Sequence, residues 1–243
     1  MNVFGLIGYP LTHSFSKKYF TEKFEEQGLT DYKYENFSVA SIDEVKKILA
    51  KNPDIKGLNV TIPHKESVIA LLDEKSDVVK KIGACNCIRI IEKKLKGYNT
   101  DTLGFEKTLM TKLKPHHKNA LILGTGGAAK AVEFVLLKLG IGIKYVSRKP
   151  SVRHFSYEQL TPSVIADHTL IINTTPLGMY PNIVQAPPIP YEALSQRHFL
   201  YDLIYNPAKT LFLQKGEQMG ADILNGYDML VIQAEESWKI WNS

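Results

Sequence analysis

The stretch Ala120-Leu-Ile-Leu-Gly-Thr-Gly-Gly-Ala-Ala129 decides the fold of this chain. An apolar run, residues 120–123, leads into a glycine-rich turn, and the turn leads into a helix-forming segment, residues 128–139. A strand, a tight glycine turn and a helix in this order are typical of a dinucleotide-binding unit. The start of such a helix offers unpaired N–H groups and a positive dipole end to a pyrophosphate, and a small third residue, here Ala129, lets the helix pack closely on the strand. The flanking segments favour this interpretation over an ordinary glycine-rich loop.

The residues that follow the second strand of the unit indicate which cofactor it binds. In a unit that binds NAD, an acidic residue about 20 positions after the glycines binds the ribose 2′-hydroxyl. Here the chain has Val146-Ser-Arg-Lys149, with no acid. Arg148 suits a 2′-phosphate, since a guanidinium makes paired, charge-assisted hydrogen bonds to phosphate. The sequence therefore favours NADP over NAD; the alternative is a solvated basic turn.

Strand-like and helix-like segments alternate along almost the whole chain, which predicts an α/β fold with parallel sheets. The 243 residues suffice for two ordinary domains, and more than 100 of them precede the glycine turn. We predict an N-terminal substrate-binding domain at residues 1–103, to which a C-terminal helix (226–243) returns. A Rossmann-type NADP-binding domain is predicted at residues 104–225.

Local patterns give finer expectations for several segments. They predict a strand at 57–62, helical stretches near 65–72 and at 101–113, a hairpin of 87–91 with 95–98, and an amphipathic helix at 227–241. Ser41-Ile-Asp-Glu44 has the pattern of a capping box ahead of a helix.

Composition narrows the possible classes of protein. Apolar residues make up 44% and charged residues 23%, as in a soluble globular protein. The net charge of +5 is modest and the lysine pairs are scattered, which indicates solvated surfaces and no nucleic-acid site. Cys85 and Cys87 are too close for an ordinary disulfide, and no further cysteine completes a metal set. We expect a cytoplasmic protein without a metal, a signal peptide or a membrane span, as a monomer or homodimer that binds an anionic small molecule.

Three polar clusters follow candidate strand ends, where ligands bind in open α/β sheets. Asn59-Val-Thr-Ile-Pro-His-Lys65 ends in a lysine that can act as an acid or base in a cleft, although a lone lysine is more often a surface residue. Asn99-Thr-Asp101 precedes a helix, and Asp101 has the N-cap as its plainer interpretation. Ser14-Phe-Ser16 follows the first strand, and Ser16 has the same alternative. Together they predict a site that meets a nicotinamide across an interdomain cleft.

Eight stretches, in one order over nearly the whole chain, resemble the shikimate dehydrogenase family. They are Gly8-Tyr-Pro-Leu-Thr-His-Ser-Phe-Ser16, Asn59-Val-Thr-Ile-Pro-His-Lys-Glu66, Gly83-Ala-Cys-Asn86, Tyr98-Asn-Thr-Asp101, Gly124-Thr-Gly-Gly-Ala128, Ile172-Asn-Thr-Thr-Pro-Leu-Gly-Met179, Asp202-Leu-Ile-Tyr-Asn-Pro207, and Gly226-Tyr-Asp-Met-Leu230 with Gln233.

The resemblance implies an NADP-dependent oxidoreductase that interconverts 3-dehydroshikimate and shikimate in chorismate and aromatic amino-acid biosynthesis. It implies that Lys65 is the proton donor and acceptor, with Asp101 as its close catalytic partner. The implied substrate contacts are Ser14, Ser16, Thr61, Asn86, Asp101, Tyr205 and Gln233. The implied cofactor contacts are Asp77, Gly124, Thr125, Gly126, Gly127, Ala128, Arg148, Asn173, Thr174, Leu203 and Gly226.

Helical spacing gives an independent hint for Gln233, which shares a face with Leu230, Ala234, Ser237 and Trp241. An inward-facing glutamine needs a hydrogen-bond partner, either a substrate hydroxyl or a nearby backbone group.

The chain departs from the family pattern at several positions. Lys17 replaces a usual proline, Tyr19-Phe20 a histidine and an asparagine, and Cys87 a threonine, while Ser147 and Lys149 flank Arg148 where asparagine and threonine or serine are typical. A quinate or dual-specificity dehydrogenase, a redox-sensing regulator that binds NADPH without turnover, and a scaffold protein are the alternatives.

Overall fold

The computed structural model describes residues 1–11, 15–148 and 154–243. The chain divides into two compact units, Met1–Thr100 with Ala234–Ser243, and Asp101–Gln233. The predicted boundary at residue 103 lies three residues further on, and the predicted return at 226 lies earlier than Ala234. The final helix contributes its residues up to Gln233 to the second unit and the remainder to the first.

The first unit alternates short strands with helices. In chain order its elements are β1 (Asn2–Gly8), α1 (Phe15–Glu26), β2 (Tyr32–Ser38), α2 (Glu44–Lys51), β3 (Ile55–Val60), a 3₁₀ segment (Ser67–Leu71), β4 (Glu74–Lys75), α3 (Asp77–Ile82), β5 (Cys87–Ile91) and β6 (Lys94–Tyr98).

The second unit also alternates strands and helices. Its elements are α4 (Asp101–Leu109), β7 (Asn119–Leu123), α5 (Gly127–Lys138), β8 (Gly142–Val146), β9 (His154–Phe155), α6 (Pro162–Asp167), β10 (Leu170–Asn173), β11 (Phe199–Asp202), α7 (Leu211–Gln218), β12 (Asp222–Leu224) and α8 (Tyr227–Trp241), with 3₁₀ segments at Tyr157–Gln159 and Tyr191–Ala193. Helix α8 has the bounds that the sequence predicts.

The strands of the first unit form a mixed sheet, with the order β2-β1-β3-β5-β6-β4 among the described residues. Strand β1 pairs in parallel with both β2 and β3, whereas β5 is antiparallel to β3 and to β6. The sheet is therefore not purely parallel. The predicted hairpin, which reverses the chain at Glu92 and Lys93, is the antiparallel pair of β5 and β6. Both turn residues have a positive φ, 50° and 65°.

The strands of the second unit form a fully parallel sheet, with the order β12-β11-β10-β7-β8-β9 in the described part of the chain. Strand β7 lies between β10 and β8, so the chain progresses outward in both directions from it. Such a switch in strand order opens a crevice beyond the carboxyl ends of the central strands. The glycine turn follows β7 and Asn173 ends β10, and these are the two strands that flank this crevice.

The central strands of the second sheet are buried on both faces, as expected for a parallel sheet covered by helices. Ala120 and Ile122 of β7 pack in one core cluster, and Leu121 and Leu123 pack in another. Strands β10 and β11 alternate in the same way, so the period of two divides each strand between the clusters. Because both faces of these strands are buried, their sequences are almost continuously apolar.

An aromatic cluster holds the end of α8 in the first unit. Trp241 is buried, its ring centroid lies 4.9 Å from that of Phe4 and 5.4 Å from that of Phe20, and its Nε1–H donates to the Ile88 carbonyl at 3.0 Å. Gly57 leaves the space that the indole fills, because a Cβ there would lie 2.3 Å from the ring. The C-terminal residues are thus an integral part of this core.

Two predicted helices are shorter than expected. The segment near 65–72 forms only the 3₁₀ segment, in which the Ile69 N–H donates to the Glu66 carbonyl, while the Lys65 carbonyl accepts from the Cys85 N–H at 2.7 Å. The helix predicted to reach residue 113 ends at Leu109, where i to i−3 bonds tighten the last turn.

Two further boundaries also differ from the predictions. The strand predicted at 57–62 ends at Val60, so strand alternation does not determine the direction of Thr61. At the predicted capping box, the Glu44 carboxylate accepts from the Ser41 N–H at 2.8 Å. In a full capping box the Glu44 N–H would donate to the Ser41 hydroxyl. Here the Asp43 N–H donates to that hydroxyl instead, and α2 begins at Glu44.

Candidate functional site

The carboxyl ends of β1 and β3 carry the first group of predicted site residues. The Thr61 N–H donates to the Ile7 carbonyl at 2.8 Å, which extends the ladder by one residue beyond β3. Gly8 makes room for this arrangement, because a Cβ there would lie 2.4 Å from Thr61 Cγ2. Thr61 therefore lies at the edge of the sheet where its strand order switches.

Lys65 lies in the turn that follows Thr61, and its backbone is held from two sides. The buried His64 ring places Nε2 2.7 Å from the Val39 carbonyl oxygen, and the Lys65 carbonyl accepts from the Cys85 N–H at 2.7 Å. The Lys65 side chain is half-buried. A fixed backbone and a half-buried amine beyond the end of a central strand suit a group that donates and accepts protons.

A buried polar network underlies this edge of the sheet. The Ser16 hydroxyl bonds to Tyr34, and the Tyr34 hydroxyl donates to Asn59 Oδ1 at 2.9 Å. Asn59 Nδ2 then donates to Ser237 Oγ at 2.9 Å and to the Asn86 carbonyl at 3.4 Å. The network therefore links Ser16 of α1 to Asn86, two predicted substrate contacts on different elements.

The same network continues to the end of the first unit. Thr100 Oγ1 lies 3.3 Å from Ser237 Oγ and accepts from Asn86 Nδ2 at 3.0 Å, while the Thr100 N–H donates to Asn86 Oδ1 at 2.7 Å. Burial raises the pKa of Tyr34 well above its usual value, against the hydrogen bond from Ser16, so its phenol stays neutral. Sequence reasoning missed Tyr34, Thr100 and Ser237 as supports. A polar residue inside an apolar strand, Asn59, is the signal that could have found them.

The two residues for which a helix cap was the plainer interpretation, Ser16 and Asp101, belong to the helices themselves. Helix α1 begins at Phe15, so Ser16 is inside the helix and is not its cap, and its buried side chain contributes to the network instead. Helix α4 begins at Asp101 itself, whose side chain is buried. The predicted substrate contact Ser14, like Lys149 beside Arg148, lies outside the described residues.

The glycine turn of the second unit has the geometry that a pyrophosphate requires. Gly124 has a φ of +104°, and a Cβ there would lie 2.7 Å from Thr174 Oγ1, so the protein itself requires a glycine. Gly126, the N-cap of α5, has an ordinary extended backbone, and a Cβ there would meet nothing within 4 Å. No internal contact explains this second glycine, whereas the close approach of a phosphate does.

Helix α5 supplies the donors and packs as the motif predicts. It begins at Gly127, and its first N–H groups have no acceptor within the helix. Ala129 is fully buried in the core cluster shared with Ala120 and Ile122, so its small side chain brings the helix close to β7. Thr125, Gly126, Gly127 and Ala128 remain at the surface of the turn. These residues fit the pyrophosphate of a dinucleotide.

Asn173 and Thr174 tie the end of β10 to the glycine turn. Thr174 donates to the Leu123 carbonyl from its N–H at 2.9 Å and from its hydroxyl at 2.7 Å. Asn173 Oδ1 accepts from the N–H and the hydroxyl of Thr175, at 3.0 and 2.7 Å. Asn173 Nδ2 donates to Asp202 Oδ1 at 3.1 Å and to the Leu177 carbonyl at 3.4 Å, so its side chain is fully committed within the protein.

Leu203, Tyr205 and Gly226 lie around the end of β11. The Leu203 N–H donates to the Asn173 carbonyl at 3.0 Å, and the Gly226 N–H donates to the Ile204 carbonyl at 3.0 Å. A Cβ on Gly226 would lie 2.1 Å from the Leu203 carbonyl oxygen, so only glycine fits. Burial raises the pKa of Tyr205, which keeps its phenol protonated as a hydrogen-bond donor.

Arg148 is the second residue after β8 and is exposed. The Ser147 N–H donates to the Phe155 carbonyl at 2.9 Å, which fixes the backbone just before Arg148. Burial raises the pKa of Tyr157, and the nearby positive charge of Arg148 partly opposes that rise. An exposed guanidinium beside a tyrosine, with no acid at the end of β8, suits the 2′-phosphate of NADP.

Two remaining predicted residues have local partners. Asp77 is exposed in the first turn of α3 and pairs with Lys80 at 3.1 Å. Gln233 is buried on the inner face of α8, and its Nε2–H donates to the Leu230 carbonyl at 2.9 Å. The nearby backbone group that the sequence analysis gave as one possible partner of Gln233 is therefore present.

The structure thus assembles Ser16, Thr61, Lys65 and Asn86 in the first unit. In the second it groups the glycine turn with Thr174, Asn173, Leu203 and Gly226.

Three of the departures from the family pattern, Lys17, Tyr19 and Cys87, have partners inside the first unit. Lys17 pairs with Glu35 at 2.9 Å, and the Tyr19 hydroxyl and Lys23 both contact the Glu235 carboxylate. Cys87 is buried, and hydrogen bonds to Ser237 and Trp241 oppose the rise in its pKa that burial causes. Both cysteines are free thiols.

Membrane-spanning helices and metal-binding clusters are both absent from the described residues. No helix there is both long and apolar enough to cross a membrane. No group of three or more histidine, cysteine, aspartate or glutamate side chains is arranged to hold a metal ion in the same residues.

Comparison with known proteins gives one consistent result. The family model of the shikimate dehydrogenase substrate binding domain matches residues 6–88. Shikimate dehydrogenase (NADP(+)) of Methanosphaera stadtmanae is 37% identical over 256 residues, which cover 98% of this chain and 90% of that protein.

Solved structures agree over the full length. Shikimate dehydrogenase 1 from Peptoclostridium difficile has a TM-score of 0.87 at 38% identity and covers 100% of this chain and 92% of its own. Shikimate 5-dehydrogenase from Thermus thermophilus, in complex with NADP(H) and shikimate, has a TM-score of 0.87 at 28% identity, with 99% and 93% coverage. Since a shikimate dehydrogenase is 37% identical over 98% of the chain and solved shikimate dehydrogenases share its fold, this chain belongs to the shikimate dehydrogenase family.

Proposed function

We propose that the protein is an NADP-dependent shikimate dehydrogenase, a cytoplasmic oxidoreductase of chorismate and aromatic amino-acid biosynthesis. It interconverts 3-dehydroshikimate and shikimate. The observation that carries the proposal is the similarity to shikimate dehydrogenase (NADP(+)) over 98% of the chain. The glycine turn, the exposed Arg148 and the held turn of Lys65 support it from this chain's own residues.

NADP would be held by the turn from Gly124 to Ala128 at its pyrophosphate and by Arg148 at its 2′-phosphate. Thr174, Leu203 and Gly226 line the same carboxyl edge of the sheet and are proposed as further contacts, with Asn173 and Asp77 assigned on the resemblance alone. When bound, the cofactor supplies a hydride to the carbonyl carbon of the substrate, or accepts one from the corresponding alcohol.

Lys65 is proposed to donate a proton to the oxygen of that carbonyl as negative charge develops there. An ammonium group can do this and stabilise the charge at the same time. In the reverse direction the amine accepts the hydroxyl proton. Asp101 is proposed as the second catalytic residue and as an acceptor for a substrate hydroxyl, and its side chain is buried at the start of α4.

The substrate carries a carboxylate and several hydroxyls, so it requires many neutral hydrogen-bonding groups. Ser14, Ser16 and Tyr205 are proposed to bind the carboxylate, and Thr61, Asn86 and Gln233 the hydroxyls. The buried network holds Ser16 and Asn86 in fixed positions, so they are ready before the substrate arrives. A site of this kind discriminates strongly against analogues that lack one hydroxyl.

The proposed function is tested by following NADPH or NADH formation in four reactions, which combine shikimate or quinate with NADP or NAD. We expect the highest kcat/KM with shikimate and NADP. Quinate as the better substrate would replace the assignment by a quinate dehydrogenase. Cofactor binding with no reduction by either alcohol would favour the regulator.

Replacing Arg148 tests the cofactor assignment. Arg148→Ala removes the charge-assisted bonds to the 2′-phosphate, so KM for NADP should rise about 10- to 100-fold while KM for NAD changes little. Steady-state kinetics with both cofactors measure this, and Lys144→Ala, on the strand β8 that precedes Arg148, is the matched control. Equal increases for NADP and NAD would contradict the proposed contact.

A further inference from the structure

Asp202 is a buried carboxylate at the carboxyl end of β11 that the proposed reaction does not use. Its Oδ1 accepts from Asn173 Nδ2 at 3.1 Å and from the Ile204 N–H at 3.1 Å. Its Oδ2 accepts from the Thr210 hydroxyl at 2.6 Å. One side chain therefore receives donors from three different segments of the second unit.

Each of these segments belongs to the proposed cofactor edge or leads to it. Asn173 ends β10 and holds the turn that begins with Thr174, while Ile204 lies between Leu203 and Tyr205. Thr210 is the N-cap of α7, where its hydroxyl also accepts from the Leu213 N–H at 3.4 Å. Asp202 thus joins the loop after β10, the loop after β11 and the start of the next helix.

Asn173 depends on Asp202 for its orientation. All four of its side-chain hydrogen-bonding positions are committed within the protein, two of them to Thr175 and one each to Asp202 and Leu177. An amide with no remaining capacity cannot bond to a cofactor through its side chain. Its contribution is therefore the shape of the loop, and the carboxyl group that anchors it is that of Asp202.

Burying a carboxyl group costs desolvation free energy, and the packing at this position does not itself call for an acid. Burial raises the pKa of Asp202 to about 7, against the lowering effect of the Thr210, Ile204 and Asn173 bonds. An apolar residue in this position would pack without that desolvation cost, as its neighbour Leu200 does. The retained acid is explained by the geometry that it imposes on the loops.

We propose that Asp202 is a positioning residue that fixes Leu203, Tyr205 and the loop of Thr174 in the arrangement that binds the cofactor and the substrate carboxylate. This inference rests on the proposed function for the identity of the two ligands. The tie between the three segments does not depend on that function.

Three variants test the proposal. Asp202→Ala removes the acceptor from all three donors. Asp202→Asn keeps an oxygen that can accept from Asn173 and Ile204, and its amide can donate to the Thr210 hydroxyl. Tyr201→Phe is the matched control on the preceding residue, because it removes a buried hydroxyl that lies 2.5 Å from Thr108 Oγ1. Successive strand residues point to opposite faces, so this change leaves the loops untouched.

The measurements are NADPH binding by fluorescence titration, KM and kcat for NADP and shikimate, and amide hydrogen exchange of residues 203–210 without ligands. For Asp202→Ala we expect NADPH affinity to fall about 10- to 100-fold, both KM values to rise with a smaller change in kcat, and exchange of the loop to accelerate. Asp202→Asn should recover most of each effect, and Tyr201→Phe should show none of them.

Wild-type KM values and wild-type exchange in a folded Asp202→Ala would overturn the proposal, as would faster exchange with unchanged KM and NADPH affinity. If Asp202→Ala does not fold, Asp202→Asn decides. A residual increase in KM and loop exchange with an unchanged melting temperature supports positioning, and wild-type behaviour in both rejects it. If the wild type fails to oxidise shikimate, the proposed function fails, whereas NADPH binding and hydrogen exchange still decide the role of Asp202.

Discussion

Lys65→Met is expected to lower kcat for shikimate oxidation by about 10²- to 10⁴-fold, the range that a positioned acid–base group contributes. Methionine keeps the length and apolar stem of the side chain but has no proton to give or accept. The contact of the His64 ring with the Val39 carbonyl and the bond from the Cys85 N–H to the Lys65 carbonyl do not involve the amine, so the turn should keep its shape. Steady-state kinetics with NADP measure the loss.

NADPH binding separates a chemical effect from a structural one in this variant. The glycine turn and Arg148 belong to the other unit of the chain, so the affinity for NADPH should stay within about twofold of wild type. Lys81→Met, which replaces an exposed lysine of the same unit, is the control and should keep full activity. Unchanged turnover in Lys65→Met would reject the catalytic assignment.

Trp241→Ala is expected to reduce the free energy of unfolding of the first unit by about 3–5 kcal/mol, as for other buried aromatic residues replaced by alanine. The indole is buried against Phe4 and Phe20 and fills the space above Gly57, so its removal leaves a cavity that few neighbours can close. It also leaves the Ile88 carbonyl without its indole donor. A loss of this size is a large part of the total stability of a typical domain.

Urea unfolding followed by fluorescence measures this effect, because Trp238 remains as a reporter in the same cluster. Trp241→Phe is the matched control, since it keeps an aromatic ring but loses the hydrogen bond, and we expect it to cost about 1–2 kcal/mol. The second unit should unfold as in the wild type. A loss below about 1 kcal/mol in Trp241→Ala would show that the end of α8 is not part of this core.

The sequence was most informative where one short segment defines its own geometry. The glycine turn is an example, because Gly124 requires a positive φ and Ala129 packs against β7, and both requirements are local to one strand–turn–helix unit. The bounds of α8 were predicted correctly for a similar reason, since its apolar face repeats over several turns.

Sequence reasoning was less accurate where distant residues compete for the same backbone groups. The segment after Lys65 has a helical pattern, yet the Lys65 carbonyl is taken by Cys85, and only a 3₁₀ turn forms. The network through Tyr34, Asn59 and Ser237 was not predicted, because its members come from β2, β3 and α8. Sequence spacing carries no signal for hydrogen bonds between such distant positions.

By itself the sequence determined the α/β class, the dinucleotide turn, the absence of an acid after β8 and the resemblance to a family of dehydrogenases. Each of these depends on residues close together in the chain or on motifs in a fixed order. The tertiary structure alone decided that Asn173 has no side-chain capacity left for a ligand. It also decided that Asp202 bonds to three separate segments and that Trp241 needs Gly57. Those properties depend on which atoms meet after folding, and contact between distant residues is set by the packing of the whole unit.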